Sequence, residues 1–489
     1  MKLVLIGHDF QYELEKLIRI FLPFEKIEFC TTESEDLGDS YAKTCLLENR
    51  THLQVELKLD GFCESKSQSF SETLDEKSAE LNLAVLLYEL FVKACDYRPP
   101  WGILTGVRPA KLYSRLARQQ GLEKTEDYFQ NQLFVSPSKI SLCRETFEKE
   151  EAIISLSKPN SFSLYLSIPF CPTRCSYCSF VSHSIATAKK LIPQYVALLC
   201  KEVEETSRLA RELGLRLETI YIGGGTPTSV SAEDLDVIMS TVGRCFDLSN
   251  LREYTVEAGR PDTITPDKLK VILKNGATRI SVNPQTMSDR VLETIGRKHT
   301  TEQTVAAFKM AREIGFDNIN MDLIAGLPGD NTNEFEKTVK KVLDLDPESV
   351  TVHALSMKRA STLTTDGGRL DFTDGVNASL SVESAHRLLA EKGIVPYYMY
   401  RQSKTVGNLE NVGYAKAGKE CLYNVYIMDE THTILACGAS AVTKMRQPNG
   451  PQIERIFNFK YPYEYISRFE ELCNRKEAVK TFYEKYPCQ

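Results

Sequence analysis

The sequence has no long apolar run, no excess of basic charge and no tryptophan beyond Trp101. No stretch approaches the ~18 consecutive apolar residues of a membrane-crossing helix. The opening "MKLVLIGHDF" holds an apolar run too short for the hydrophobic region of a signal peptide. The expected location is therefore the cytoplasm, with no membrane span. A formal net charge of −6 argues against a chain built chiefly to coat nucleic acid or an acidic membrane, while leaving room for a local basic patch.

What is present is an ordinary globular composition, 42% apolar and 26% charged over 489 residues, enough for about two to four domains. The 14 cysteines, in a cytosolic chain, point to thiols and metal ligands rather than a disulfide framework. Cys45, Cys95, Cys200 and Cys245 lie in apolar helix or strand patterns and read as structural thiols.

Periodicity divides the chain into three parts: 1–150, 161–360 and 361–489. The first reads as a small α/β domain of unknown role, with strands at "KLVLIG", "KIEFC" and "HLQVELKL" and helices at "YELEKLIRIFL" and "SAELNLAVLLYELFVKAC". Trp101 sits in a segment bracketed by prolines, which predicts a packed turn. "SKPNS" is the expected boundary. From residue 161 β-rich runs alternate with amphipathic helices: 163–168, 218–223, 253–258, 278–283, 318–324 and 349–355. Such repeats predict a parallel sheet, either open and doubly wound or a partial barrel.

The unusual residues decide between these. "CPTRCSYC" places Cys171, Cys175 and Cys178 after the first of these strands, and "GGGTPT" (Gly223 to Thr228) follows the second. Glu257 ends the third, Gln285 follows the fourth and Asp322 lies near the end of the fifth. All are at strand C-terminal ends, the face on which β/α barrels assemble sites from several strands at once. An open sheet would concentrate them at one switch point. The expected fold class is thus α/β, a partial (β/α)6 barrel with an N-terminal α/β domain and a C-terminal α+β extension.

Three thiolates can hold three irons of a four-iron cluster and leave the fourth open to a small molecule. The alternative, zinc, needs a fourth ligand such as His183. The glycine-rich turn lets backbone approach a bound group, but it also reads as a plain turn. Glu257 and Asp322 need partners if buried: a ligand amine, a ribose hydroxyl, or an arginine such as Arg297. His353 and His432 read as structural histidines, and His299 as loop.

In order and spacing, "YLSIPFCPTRCSYC", "GGGTPT", "VEAGRPD", "NPQTM", "GRKH" and "MDLIAGLPG" resemble the radical S-adenosylmethionine (SAM) enzymes of the oxygen-independent coproporphyrinogen III oxidase family. Upstream "PWGILTGVRP" and the later "YYMYRQSKTVGNLENVGYAKAGKECLYNVYIMDE" and "ILACGASA" extend the likeness over nearly the whole chain, to its coproporphyrinogen dehydrogenase branch.

The resemblance implies a [4Fe-4S] cluster on Cys171, Cys175 and Cys178, with SAM bound at the vacant iron. Tyr165, Gly224 and Glu257 would contact this SAM, and Tyr177, Gly225, Thr226, Gln285, Arg297 and Asp322 a second one. It implies radical abstraction of hydrogen from coproporphyrinogen III propionates, loss of carbon dioxide to leave vinyl groups, and a low-potential electron donor of flavodoxin or ferredoxin type. The pattern departs in three places. Phe180 stands where the best-known oxidases carry a fourth cysteine, and Ser167 where they carry a histidine. "YNVYIM" (Tyr423 to Met428) lacks the His and Trp of the haem motif in the related haem-chaperone branch. A tetrapyrrole or haem carrier that keeps the cluster is the alternative.

Overall fold

Strand-forming runs rich in branched and aromatic residues alternate with capped amphipathic helices along most of the chain. The computed structural model describes residues 1–31, 37–178, 183–356, 372–402 and 405–488. Phe180 lies outside the described residues. The chain folds as two compact units, Met1–Arg144 with Arg401–Leu409, and Glu145–Tyr400 with Glu410–Gln489.

The first unit carries the strands β1 (Lys2–Ile6), β2 (Glu28–Cys30), β3 (Tyr41–Leu47), β4 (His52–Leu59) and β5 (Phe62–Ser69) in the order β2-β1-β3-β4-β5. β1 runs parallel to β2 and β3, and β3, β4 and β5 are antiparallel neighbours. β4 buries every second residue, the signature of a sheet covered on one face. Against it packs the helix Glu76–Cys95, begun by Asp75, whose carboxylate accepts from Ser78 N at 2.8 Å. Trp101 is buried, with the Arg401 guanidinium 5.5 Å from its ring centre.

The second unit contains β6 (Ser161–Ile168), the short pair β7 (Phe170–Cys171) and β8 (His183–Ser184), then β9 (Arg216–Gly224), β10 (Glu253–Gly259), β11 (Arg279–Val282), β12 (Ile319–Ala325) and β13 (Ser349–Ala354). Strands β6, β9, β10, β11, β12 and β13 are parallel and lie side by side in chain order. Monotonic order leaves no switch point, so this is the partial barrel rather than the doubly wound sheet. The intervening helices begin as their sequences predict: Ser231 and Asp234 form a capping box, and Thr265 caps a helix with Pro266 in its first turn.

The sheet does not stop at these six strands. β14 (Val395–Arg401) and β15 (Glu410–Ala415) extend it beyond β13, and β16 (Thr433–Cys437), β17 (Val442–Arg446) and β18 (Ile453–Phe457) extend it beyond β6, giving eleven strands. β15 is antiparallel to β13, whereas β16 is parallel to β6. The chain therefore leaves one flank of the six parallel strands at Ala415 and joins the other at Thr433. Between them lies the helix Leu422–Asp429, at the end of the barrel where the parallel strands begin. The Glu253 carboxylate, on the first residue of β10, accepts from Leu422 N at 2.7 Å and Tyr423 N at 3.3 Å, which orients this helix.

Among the described residues no helix is long and apolar enough to cross a membrane, and none of the 14 cysteines forms a disulfide. Behind β16, Lys476 is 3% exposed, and its ammonium lies 2.8 Å from the Glu202 carboxylate, 2.8 Å from Thr206 Oγ1 and 3.0 Å from the Ala436 carbonyl. Glu202 also accepts from Gly438 N, Asn458 Nδ2 and Tyr465 OH. Removing one partner of so buried a pair strands the other charge. Lys476→Met should cost about 3–5 kcal/mol, measured as a lowered urea midpoint; a loss under about 1 kcal/mol would mean that water reaches Glu202.

Candidate active site

The register of β6 against β9 pairs Tyr165 with Tyr221, Ser167 with Gly223 and Ile168 with Gly224. This places the cysteine segment directly over the glycine-rich turn. Gly225 N donates to Ile168 O and Thr226 N to Phe170 O, both at 2.8 Å, and Thr226 Oγ1 lies 3.5 Å from Cys171 Sγ. A Cβ on Gly225 would stand 2.6 Å from the Phe170 carbonyl and 3.0 Å from Cys171 Sγ. Gly224 has φ +109°, and its Cβ would meet Ser167 Oγ at 2.9 Å. These glycines are required by the close approach of two chain segments.

Cys171 and Cys175 are buried and Cys178 is half-buried. Their loop is held from outside itself. Arg260, doubly bonded to Asp262, donates to Thr173 Oγ1 at 2.7 Å and to the Thr173 carbonyl at 3.2 Å. Ser176 donates its N–H and hydroxyl to the Ile295 carbonyl, and Arg297 donates to Tyr177 OH at 3.2 Å and to the Asn283 carbonyl at 2.6 Å. Arg297 therefore pairs with neither Glu257 nor Asp322. His299, expected as ordinary loop, is only 2% exposed, and burial beside Arg297 lowers its pKa to about 4, leaving a neutral imidazole.

Glu257 accepts from Tyr221 OH. Burial raises its pKa to about 7; the Tyr221 bond and the Arg279 charge oppose the rise and Asp322 adds to it. Asp322 accepts from Asn320 Nδ2 at 2.7 Å, and the same asparagine binds the Ser281, Ser349 and Thr351 hydroxyls. Gln285 bridges to β12 with φ +71°, a conformation costly for a residue with a side chain; its N–H donates to the Asp322 carbonyl at 2.9 Å. Tyr165, Tyr221 and Tyr423 are stacked, with ring centres 6.2 Å apart for Tyr165–Tyr221 and 4.6 Å for Tyr221–Tyr423.

The structure thus gathers two groups. One contains the three cysteines, Tyr177, Gly225, Thr226 and Arg297; the other contains Tyr165, Glu257, Asp322 and Gln285, with Gly224 at the junction. Sequence reasoning missed Tyr221, Arg279 and Tyr423. Tyr221 was detectable from the two-residue strand period that places it level with Tyr165. Arg279 is 1% exposed with Nε unbonded, and nothing in "TRISVN" marks it. His432 is buried, 2.9 Å from Ser163 Oγ, and stacks on Tyr426.

The donor set fits a cluster. Each thiolate of a four-iron cluster binds a different iron, so the three need not converge. Among the described residues no three His, Cys, Asp or Glu side chains converge on one point, as a zinc ion would require. His183 instead pairs its backbone with Phe170 and turns its ring edge-on to Tyr461.

The radical SAM superfamily model matches residues 165–342. Over 90% of both chains, the protein is 37% identical to the oxygen-independent coproporphyrinogen-III oxidase-like protein HemZ of Bacillus subtilis (strain 168). The chain belongs to this radical SAM family. Its cofactors are a [4Fe-4S] cluster and S-adenosylmethionine. The heme chaperone HemW of the same organism is 34% identical over 57% of this chain and 70% of its own length. The coproporphyrinogen III oxidase HemN of Escherichia coli shares the fold, with a TM-score of 0.52 and 21% identity over 66% of this chain and 72% of that one.

The Glu257 carboxyl has a pKa above its ordinary 4.5, so its neutral form stabilises the fold fully below that value and the contribution is lost as pH rises through about 7. In protein without cofactor, Glu257→Gln should therefore gain stability relative to wild type between about pH 5 and pH 8. Parallel urea midpoints over that range would show that water reaches the carboxylate. Gly225→Val should lower bound iron several-fold, because its side chain must displace the Cys171 segment; undiminished iron would place that segment elsewhere.

Proposed function

We propose that this chain is a radical SAM oxidoreductase that decarboxylates coproporphyrinogen III propionates to vinyl groups, forming protoporphyrinogen IX in the cytoplasm. When bound, the cluster and S-adenosylmethionine supply one-electron chemistry that activates an unreactive C–H bond. Cys171, Cys175 and Cys178 hold the cluster. Glu257 receives the ammonium of the first S-adenosylmethionine, a cation that would return its raised pKa toward the ordinary range, and Tyr165 and Gly224 border the same group. A second S-adenosylmethionine would be met by Tyr177, Gly225, Thr226 and Arg297, which adjoin the cysteines, and by Gln285 and Asp322, which lie on the side of Glu257. Tyr423, on the helix Leu422–Asp429, stacks on the Tyr221 ring that binds Glu257, and this aromatic stack would help to keep water from a bound group.

The observation that carries the catalyst reading over the carrier reading is the position of that helix. It contains "YNVYIM", the stretch that corresponds to the haem motif of the chaperone branch, and it is occupied with packing. Tyr423 is 5% exposed and stacked on Tyr221, and Tyr426 is fully buried on His432. Met428 offers no imidazole, and the helix is anchored by Glu253. A carrier would need an accessible axial ligand here.

Reconstituted anaerobically with a low-potential reductant, the protein should form 5′-deoxyadenosine faster when coproporphyrinogen III is added, with mass losses of carbon dioxide and hydrogen. Cys175→Ala should abolish this and reduce iron binding while the far-ultraviolet circular dichroism is kept. Tight stoichiometric haem binding with every propionate intact would replace this reading with the carrier.

A further inference from the structure

Between Glu151 and Glu202 the chain contains no aspartate or glutamate, although it carries 66 of them and a net charge of −6. That interval includes the cysteine loop and the segment after it, and its charged side chains are basic: Lys158, Arg174, Lys189, Lys190 and Lys201. Arg174 projects from the cysteine loop and is exposed, as are Lys189 and Lys190 on the turn that follows β8. Neither lysine is paired with an acid among the described residues.

An aromatic platform adjoins Arg174. His183, close enough to Arg174 for its charge to lower the imidazole pKa after the larger effect of burial, lies edge-on to Tyr461 at 5.9 Å. Tyr461 stacks on Tyr463 at 5.5 Å with the planes 9° apart, and Lys460 lies over Tyr461. Tyr463 is 51% exposed. The surface beside the cysteines is thus locally basic and aromatic on a chain that is acidic as a whole.

We propose that this surface docks a small acidic protein that delivers single low-potential electrons to the cluster; the inference rests on the cluster assignment made above. Opposite charge concentrated beside the redox centre steers an acidic carrier to the one place where electron transfer is short. Exposed aromatic rings give such a complex contact area without a large interface. A local field on an acidic chain also repels the carrier elsewhere, which favours the productive orientation.

The test uses the reconstituted holoprotein and two reductants, flavodoxin hydroquinone and dithionite, with cluster bleaching followed by stopped flow. For wild type, the second-order rate with flavodoxin should fall steeply as salt is raised, because the steering charges are screened. The double variant Lys189→Glu, Lys190→Glu should lower that rate about tenfold or more at low salt, and Lys189→Gln, Lys190→Gln by an intermediate factor. Iron content and the dithionite rate should be unchanged in both. A salt-independent flavodoxin rate, a wild-type rate in the charge-reversed protein, or equal slowing with both reductants would overturn the docking site. So would a raised KM for coproporphyrinogen III with unaltered flavodoxin reduction, which would assign the patch to the anionic substrate. If wild type assembles no cluster, the functional reading itself fails, a result distinguishable from all of these.

Discussion

The pairing of β6 with β9 is the constraint on which the site depends. Its register sets Ile168 against Gly224, so the chain emerging from β6 crosses the turn emerging from β9 at a distance that excludes a side chain at Gly225. Cys171 is located by that crossing, and the rest of the cysteine loop is then suspended from Arg260, Ile295 and Arg297, on segments that follow β10 and β11. A shift of one residue would put Tyr165 and Tyr221 on opposite faces of the sheet and separate the thiols from the turn.

The far end of the barrel is solved differently. Six parallel strands make an open arc whose interior would admit water at both ends. Here the chain crosses from β15 to β16 with a short helix, and a single carboxylate, Glu253, accepts from two of the N–H groups that open it. Tyr423 thereby completes a stack with Tyr221 and Tyr165, which ties the helix Leu422–Asp429 to the first two strands of the barrel. Addition of β16 beside β6 also buries Lys476 and Glu202, which tie the C-terminal helix Phe469–Lys485 to the barrel.

Electrostatics separate the inside from the rim. The interior carries titratable groups whose pKa values are displaced by burial, Glu257 upward and His299 downward. The rim beside the cysteines carries exposed cations. A charged interior group favours one protonation state of a ligand, whereas an exposed one acts over a Debye length on whatever diffuses past.

The six barrel strands, their parallel order and the placing of Cys171, Gly224, Glu257, Gln285 and Asp322 at strand ends were legible in the sequence, because each rests on a local period or a turn residue within a few positions. Strands β3 and β5 were not: β5 is a largely exposed edge strand without apolar alternation, and its pairing with β4 is long-range. Arg279 and Tyr423 were equally hidden, since an arginine in a strand or a tyrosine in a helix carries no sign of which neighbours close around it. The sequence by itself determined which residues end each strand and which thiols cluster. Only the tertiary structure decided that Arg297 clamps the cysteine loop instead of pairing with Glu257, and that "YNVYIM" lies under the barrel, because both depend on which segments, distant in the chain, share one interior.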